Sequence, residues 1–277
     1  MSASPQAPVV LITGAAKRIG AAIAELFHDK GYQVIIHYHH STEAATLLCR
    51  RLNAARADSV HILQADLNDS AAVQQLAMDA LACFGGIDVL INNASSFYAT
   101  PLPAVSEQDW DDLINSNVKA AFFLSQALAD SLQQRSGSII NIIDIHADSG
   151  LRGFPVYSIA KAGLKMLTRT LARELAPAVR VNGVSPGAIL WPAHATGSTD
   201  EAEHSPESSH QSSPAHTLKP SPESSPNPSA EQQRILDSIP LGHLGAAADI
   251  AQTVWFLAHA GYITGQIIRV DGGRSLR

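Results

Sequence analysis

Val9-Val10-Leu11-Ile12-Thr13-Gly14-Ala15-Ala16-Lys17-Arg18-Ile19-Gly20 is the stretch that decides the fold. Its opening apolar run reads as a strand buried on both faces, which is the habit of parallel sheets. Gly14 permits a tight turn, and from Ile19 to Lys30 the pattern turns helical. Gly20 lets that helix pack closely, and its N-terminus offers N–H groups to a pyrophosphate.

The same unit repeats along the chain. Val34–Tyr38, Val60–Leu67, Val89–Asn93, Ser138–Asp144, Arg180–Val184 and Ile267–Val270 are short runs rich in Val and Ile, flanked by Gly, Asp, Asn or Pro. Helical patterns lie between them, at 43–55, 70–83, 107–133, 156–175 and 246–259. Strands alternating with helices predict an α/β fold: a single-domain, Rossmann-like, doubly wound parallel sheet of about seven strands with helices on both faces. Ligands of such a sheet bind at the carboxyl ends of its strands. The 277 residues, 45% hydrophobic, suit one such domain spanning 1–277.

One segment breaks the rhythm. Thr196 to Ala230 is dominated by Ser and Pro, repeats Ser-Pro-Glu-Ser-Ser at 205–209 and 221–225, and has Leu218 as its only large aliphatic residue. Such composition buries too little apolar surface to offset ordering, so the segment is expected to be a disordered insert. It reads as a family-specific insertion or as a regulatory, partner-binding segment.

Charge and composition exclude several classes. A net charge of -6 with no basic run argues against a nucleic-acid partner. No apolar run reaches the ~20 residues of a membrane span, and the first residues lack the order of a secretory signal. Two cysteines, Cys49 and Cys83, make neither a disulfide framework nor a four-ligand zinc site. A cytoplasmic protein is expected.

Three further motifs carry chemistry. His37-Tyr38-His39-His40-Ser41 ends the second strand, where an NAD-binding fold places an acid for the ribose 2′-hydroxyl. With no acid there, Arg18, the imidazoles and the hydroxyl suit a 2′-phosphate. The same residues also read as a solvated strand end, or as metal ligands lacking a Cys or carboxylate to complete the set. Asn92-Asn93-Ala94-Ser95 ends the fourth strand, close to where a nucleotide would lie. Tyr157-Ser158-Ile159-Ala160-Lys161 places a phenol and an ammonium on one helix face. A phenol titrates near ~10, and a neighbouring ammonium draws it toward neutrality, where it serves as an acid-base group. That spacing alone recurs by chance; here it follows the glycine turn, Asn92–Ala94 and Asn117 in order.

On these motifs the chain resembles the short-chain dehydrogenases/reductases, and among them the pteridine reductases, over about residues 8–192 and 233–273. Thr13–Gly20 is similar to their TGxxxRxG turn, with Arg18 where many relatives have glycine. Asn93-Ala94-Ser95-Ser96-Phe97 resembles the stretch that carries a serine and a phenylalanine to the pterin. Pro186-Gly187 and Asp271-Gly272-Gly273 resemble the family's late markers. Most relatives place a serine 13 residues before the tyrosine; here that position is Asp144, as in the pteridine reductases. An ionised carboxylate cannot donate to a ketone, but it can orient and recharge a tyrosine that protonates a ring nitrogen.

The resemblance implies NADPH held by Gly14, Arg18, Ile19, Gly20, His37, Tyr38, His39, His40, Ser41, Asp66, Leu67, Asn93, Ala94, Ser95, Lys161, Pro186 and Gly187. It implies a pterin held by Ser95, Phe97 and Tyr157, with Phe97 stacking on it. Tyr157 is then the proton donor, Asp144 orients it, Lys161 binds the nicotinamide ribose, and Asn117 positions Lys161 through water. No metal is implied, and the assembly is a homotetramer. Trp191 is a further candidate for the pocket, while Arg277 receives no role. Two other readings stay open: a carbonyl reductase acting on 3-oxoacyl thioesters or sugars, and a non-catalytic NADPH-binding sensor that recruits a partner through Thr196–Ala230.

Overall fold

Each of the seven apolar runs forms a strand in the computed structural model, which describes residues 7–189 and 229–276. The strands are β1 (Val9–Ile12), β2 (Gln33–Tyr38), β3 (Val60–Gln64), β4 (Val89–Asn92), β5 (Ser138–Ile142), β6 (Arg180–Pro186) and β7 (Ile267–Val270). They make one parallel sheet in the order β3-β2-β1-β4-β5-β6-β7. The order reverses between β1 and β4, and the loops leaving their carboxyl ends diverge there to leave a crevice.

Alternation along the strands builds a core on each face. Val10, Ile12, Val34, Ile36, Val89 and Ile91 point into one, shared with α1 (Arg18–Asp29), α2 (Thr42–Ala55) and a late helix, Ala247–His259. Val9, Leu11, Ile35, Leu90, Ile139 and Val181 point into the other, shared with α3 (Ser70–Phe84), a helix Ala120–Ala127 and a helix Pro155–Glu174. Both faces are buried, so the strands read as unbroken apolar runs.

The stretch 107–133 is not one helix. It comprises α4 (Glu107–Ile114), a π-helical turn at Asn115–Lys119, α5 (Ala120–Ala127) and α6 (Ala129–Gln134). The π turn shifts the side chains by a fraction of a turn without changing the apolar composition, so periodicity does not reveal it. Next come α7 (His146–Ser149), too short for a periodic signal, and α8 (Pro155–Glu174). The stretch 196–230 also ends earlier than its composition suggests. Ser229 accepts from the Gln232 N–H at 3.2 Å and caps α9 (Ala230–Asp237), which precedes α10 (Ala247–His259). The rest of that segment, Trp191 and Arg277 lie outside the described residues. Among the described residues no helix is long and apolar enough to cross a membrane.

Candidate active site

The glycine turn and the end of β4 are stitched into one floor. Thr13 Oγ1 accepts from the Asn93 and Ala94 N–H groups at 2.9 and 3.0 Å. Asn93 Nδ2 donates to the Thr13 and Gly14 carbonyls at 2.9 and 3.0 Å. Gly14 has φ +61°, and a Cβ there would stand 2.9 Å from the Ala94 Cα. A Cβ on Gly20 would lie 2.5 Å from the Gly14 carbonyl oxygen, so both positions demand glycine. Arg18 has φ +54°, the backbone conformation glycine favours, which accounts for the glycine many relatives carry there. At the start of α1 the N-cap residue, Lys17, makes no side-chain capping bond, and the first turn holds no acid. The positive end of the helix is therefore available to an anion, as a dinucleotide pyrophosphate requires. These residues fit NAD(P)H.

The second-strand loop divides into two parts. His37 is buried, its Nδ1 accepting from the Gly14 N–H at 3.1 Å while Nε2 faces the Ala65 carbonyl at 3.1 Å. Nε2 therefore carries the proton, and burial lowers the pKa to about 4. His37 braces the glycine turn from beneath as a neutral group. His39 is half-buried beside Asp66, the exposed His40 packs on His39, Tyr38 is buried in the core, and Ser41 precedes α2. Leu67 lines a small cleft with Thr13, Ala94 and Asn117.

The reactive groups come from three elements. Asp144, just past β5, accepts the Tyr157 hydroxyl on Oδ2 at 2.9 Å and the His146 N–H on Oδ1 at 2.7 Å. The carboxylate is thus fixed by α7 on one side and aimed at the phenol on the other. Tyr157 sits in the first turn of α8, whose start is set by Pro155. One turn on, the fully enclosed Lys161 donates to the Ile142 carbonyl at 3.1 Å, its Nζ 5.6 Å from the centre of the Tyr157 ring. Burial lowers the Lys161 pKa to about 8 against the opposing charge of Asp144. The Tyr157 phenol moves the other way, held protonated by burial and by the Asp144 carboxylate. Among the protein's own groups these outweigh the opposing hydrogen bond with Ser95, so the expected lowering of the phenol is not observed.

Asn117 lies in the π turn. Its Nδ2 donates to the Ser96 and Leu113 carbonyls, each at 3.0 Å, and its Oδ1 accepts the Ser95 hydroxyl at 2.7 Å. Phe97, 53% exposed, stacks on Phe154 at 4.7 Å with 4° between planes and meets Tyr157 edge-on at 4.7 Å. The Thr100 N–H bonds the Gly153 carbonyl at 2.8 Å, tying the two loops that carry these rings. Pro186 ends β6 and Gly187 follows it, where a Cβ on Gly187 would stand 2.7 Å from the Asp271 Cα. Phe154, His146 and the Ile142 carbonyl escaped the sequence reading. Phe154 had one trace, an aromatic residue just before Pro155, but its partner is set by loop packing.

The fold, the glycine turn and the Asp-Tyr-Lys constellation define a class of nucleotide-dependent oxidoreductases. The short chain dehydrogenase family model matches residues 8–202, and one described as enoyl-(acyl carrier protein) reductase matches 213–275. The chain belongs to the short-chain dehydrogenase family, whose members are oxidoreductases acting on small molecules with NAD(P)H. It is similar to pteridine reductase 1 of Leishmania tarentolae, at 36% identity over 100% of this chain and 99% of the relative. It is also similar to the 3-oxoacyl-(acyl-carrier-protein) reductase FabG of Staphylococcus aureus, at 36% identity over 95% and 96%. The 3beta-hydroxysteroid dehydrogenase 1 of Eggerthella lenta shares 32% over 96% and 93%.

Proposed function

We propose that the protein is an NADPH-dependent pteridine reductase that reduces a pterin or dihydropterin of the dihydrobiopterin or dihydromonapterin type. The observation that carries this reading is Asp144 at 2.9 Å from the Tyr157 hydroxyl. A carbonyl reductase needs a hydroxyl there to polarise the C=O bond, whereas a carboxylate accepts only. Bound NADPH supplies hydride to a ring carbon. Tyr157 delivers the proton to the adjacent ring nitrogen, and Asp144 orients the phenol and restores its proton from solvent. Lys161 holds the nicotinamide ribose. Asn117 fixes Ser95, which contacts the pterin or a cofactor phosphate. Phe97 offers its open face to the flat rings, with Phe154 behind it.

Binding of the 2′-phosphate falls to Arg18, His39, His40 and Ser41, with His37 supporting the turn. Asp66 and Leu67 border the adenine side, and Pro186-Gly187 the nicotinamide side. A homotetramer accords with the exposed Trp110, Phe122, Ile159 and Met166 on α4, α5 and α8. A cytoplasmic setting accords with two free cysteines.

Equal identity to FabG favours a second reading, a reductase of 3-oxoacyl thioesters. A substrate panel separates the two. NADPH oxidation should be far faster with dihydrobiopterin or dihydromonapterin than with an acetoacetyl thioester. Brisk thioester turnover with inert pterins reverses the assignment.

A further inference from the structure

The four residues of α7 are too few to hold a helix by their own backbone bonds, because a first turn costs more than it returns. The place of this helix in the fold therefore depends on side chains and on neighbouring elements. At its start Asp144 Oδ1 accepts the His146 N–H at 2.7 Å, and the Ile145 N–H reaches the Pro186 carbonyl at 3.3 Å. Past its end the Leu151 N–H donates to Ser158 Oγ on α8 at 2.9 Å. Between these ties stands Asp148, four residues on from Asp144.

Asp148 takes a cation on each carboxylate oxygen. Lys165 of α8 donates to Oδ1, and Arg269 of β7 donates to Oδ2 at 2.7 Å. The two bonds hold the Asp148 carboxyl below the usual carboxylate range. Lys165 lies four residues beyond Lys161 and eight beyond Tyr157, on the same side of α8. Thus α7 meets α8 twice, at Asp144–Tyr157 and at Asp148–Lys165, and Arg269 ties it to the last strand of the sheet.

We propose that Asp148, clamped by Lys165 and Arg269, is a positioning residue that fixes α7 so that the Asp144 carboxylate meets the Tyr157 hydroxyl. The proposal rests on the reading of Asp144 and Tyr157 as the proton-delivering pair, and it adds the groups that set their separation.

Magnitudes separate this role from a plain contribution to stability. The side chains are 38% exposed for Asp148, 19% for Lys165 and 44% for Arg269. Water and salt screen such pairs, so global unfolding feels them little. Catalysis is more sensitive, because a misplacement of ~1 Å at a reacting group lowers a rate by about 10²-fold. Asp144 stands at the start of α7 and Asp148 one turn later, so a shift at the second carboxylate is passed to the first.

The test is a double-mutant cycle on the full chain, with Asp148→Asn and Asp144→Ala made singly and together. Asp148→Asn keeps the shape of the side chain and removes its charge. Its melting temperature should fall by no more than about 4 °C, and its Kd for NADPH should stay level. Its kcat should fall by about 10- to 100-fold. In the Asp144→Ala background the same substitution should lower kcat no further. Rates are taken in parallel with dihydrobiopterin and an acetoacetyl thioester, so the choice of substrate does not enter the comparison. Amide hydrogen exchange without cofactor gives a second readout: exchange at His146, whose N–H holds Asp144, should quicken several-fold in Asp148→Asn. Lys165→Met and Arg269→Gln enter the same cycle and should act in the same direction, so the result does not hang on the folding of one variant. Unchanged exchange, unchanged kcat or an equal fall in both backgrounds overturns the clamp and leaves the proton-delivering pair intact. Full turnover by Asp144→Ala overturns both, since no carboxylate is then needed at the phenol.

Discussion

A buried phenol that donates to a carboxylate keeps its proton, and the site's behaviour follows from three individual residues. Tyr157 holds its proton through burial and Asp144, so Tyr157→Phe keeps the ring and removes the donor. Turnover should fall by about 10²–10⁴ while the Kd for NADPH barely changes; near-normal turnover means that the proton comes from elsewhere. Lys161 has a pKa lowered to about 8 by burial, so its ammonium form is present below that pH and lost above it. With saturating substrates kcat should decline as pH rises through about 8, and a flat profile to pH ~10 removes the charged lysine from the mechanism. His37 titrates at about 4 against an ordinary 6.5, so the unfolded chain takes up its proton first as pH falls. Its contribution to stability is complete above about 6.5 and drains away toward 4, by about 1.4 kcal/mol per pH unit. Urea unfolding at pH 7 and 5 should show a smaller loss for His37→Asn than for the wild type, and equal losses would refute this. The sequence offered His37 as one of several histidines near a phosphate. That its ring lies under the turn depends on Gly14 and Ala65, which only the folded sheet brings to it.

At the scale of elements, the catalytic helix is held in register by a buried polar chain. Asn92 Nδ2 on β4 donates to Asn141 Oδ1 on β5 at 2.8 Å, and Asn141 Nδ2 donates to Thr168 Oγ1 on α8 at 2.9 Å. Thr168 lies on the same face of α8 as Tyr157 and Lys161, eleven and seven residues on from them. Thr168→Val keeps the volume but leaves the Asn141 amide buried without an acceptor. Stability should drop by about 1–3 kcal/mol in urea unfolding, and a loss under ~0.5 kcal/mol would show that the bond does not matter. The extents of β1, β2, β4 and α8 were legible in the sequence because both-face burial and helical periodicity leave local patterns. The π turn at Asn115–Lys119 was not, because a one-residue shift in hydrogen bonding leaves the hydrophobic spacing almost unchanged. Nor was α9, whose capping Ser229 sits within a run of serine and proline.

Across the whole molecule the sheet couples its two cores into one unit. Phe27, fully buried on α1, meets Tyr32 and Trp255 edge-on at 5.0 Å each, on the face opposite α8. Phe27→Ala should cost about 3–5 kcal/mol, and tryptophan fluorescence and far-UV circular dichroism should still give coincident unfolding curves. Separate transitions would mean that the two faces unfold independently. The same sheet sets the position of the site. Reversal of strand order between β1 and β4 opens the crevice, and Thr13, Asn93 and Ala94 then meet across it.

The sequence alone determined the parallel α/β architecture, the glycine turn and the Tyr157–Lys161 pair, because each is written in local spacing or in burial periodicity, while Asp144 was marked by the family resemblance. Only the tertiary structure decided which groups face one another. It set Phe154 behind Phe97, Asp144 against the Tyr157 hydroxyl, His37 beneath the turn and His39 stacked on His40. It also set the direction of the phenol's shift, since that balance depends on burial and on Asp144 rather than on the helical spacing to Lys161. Contacts between loops that leave different strands depend on strand order and chain bends, and neither has a local signal in the amino-acid sequence.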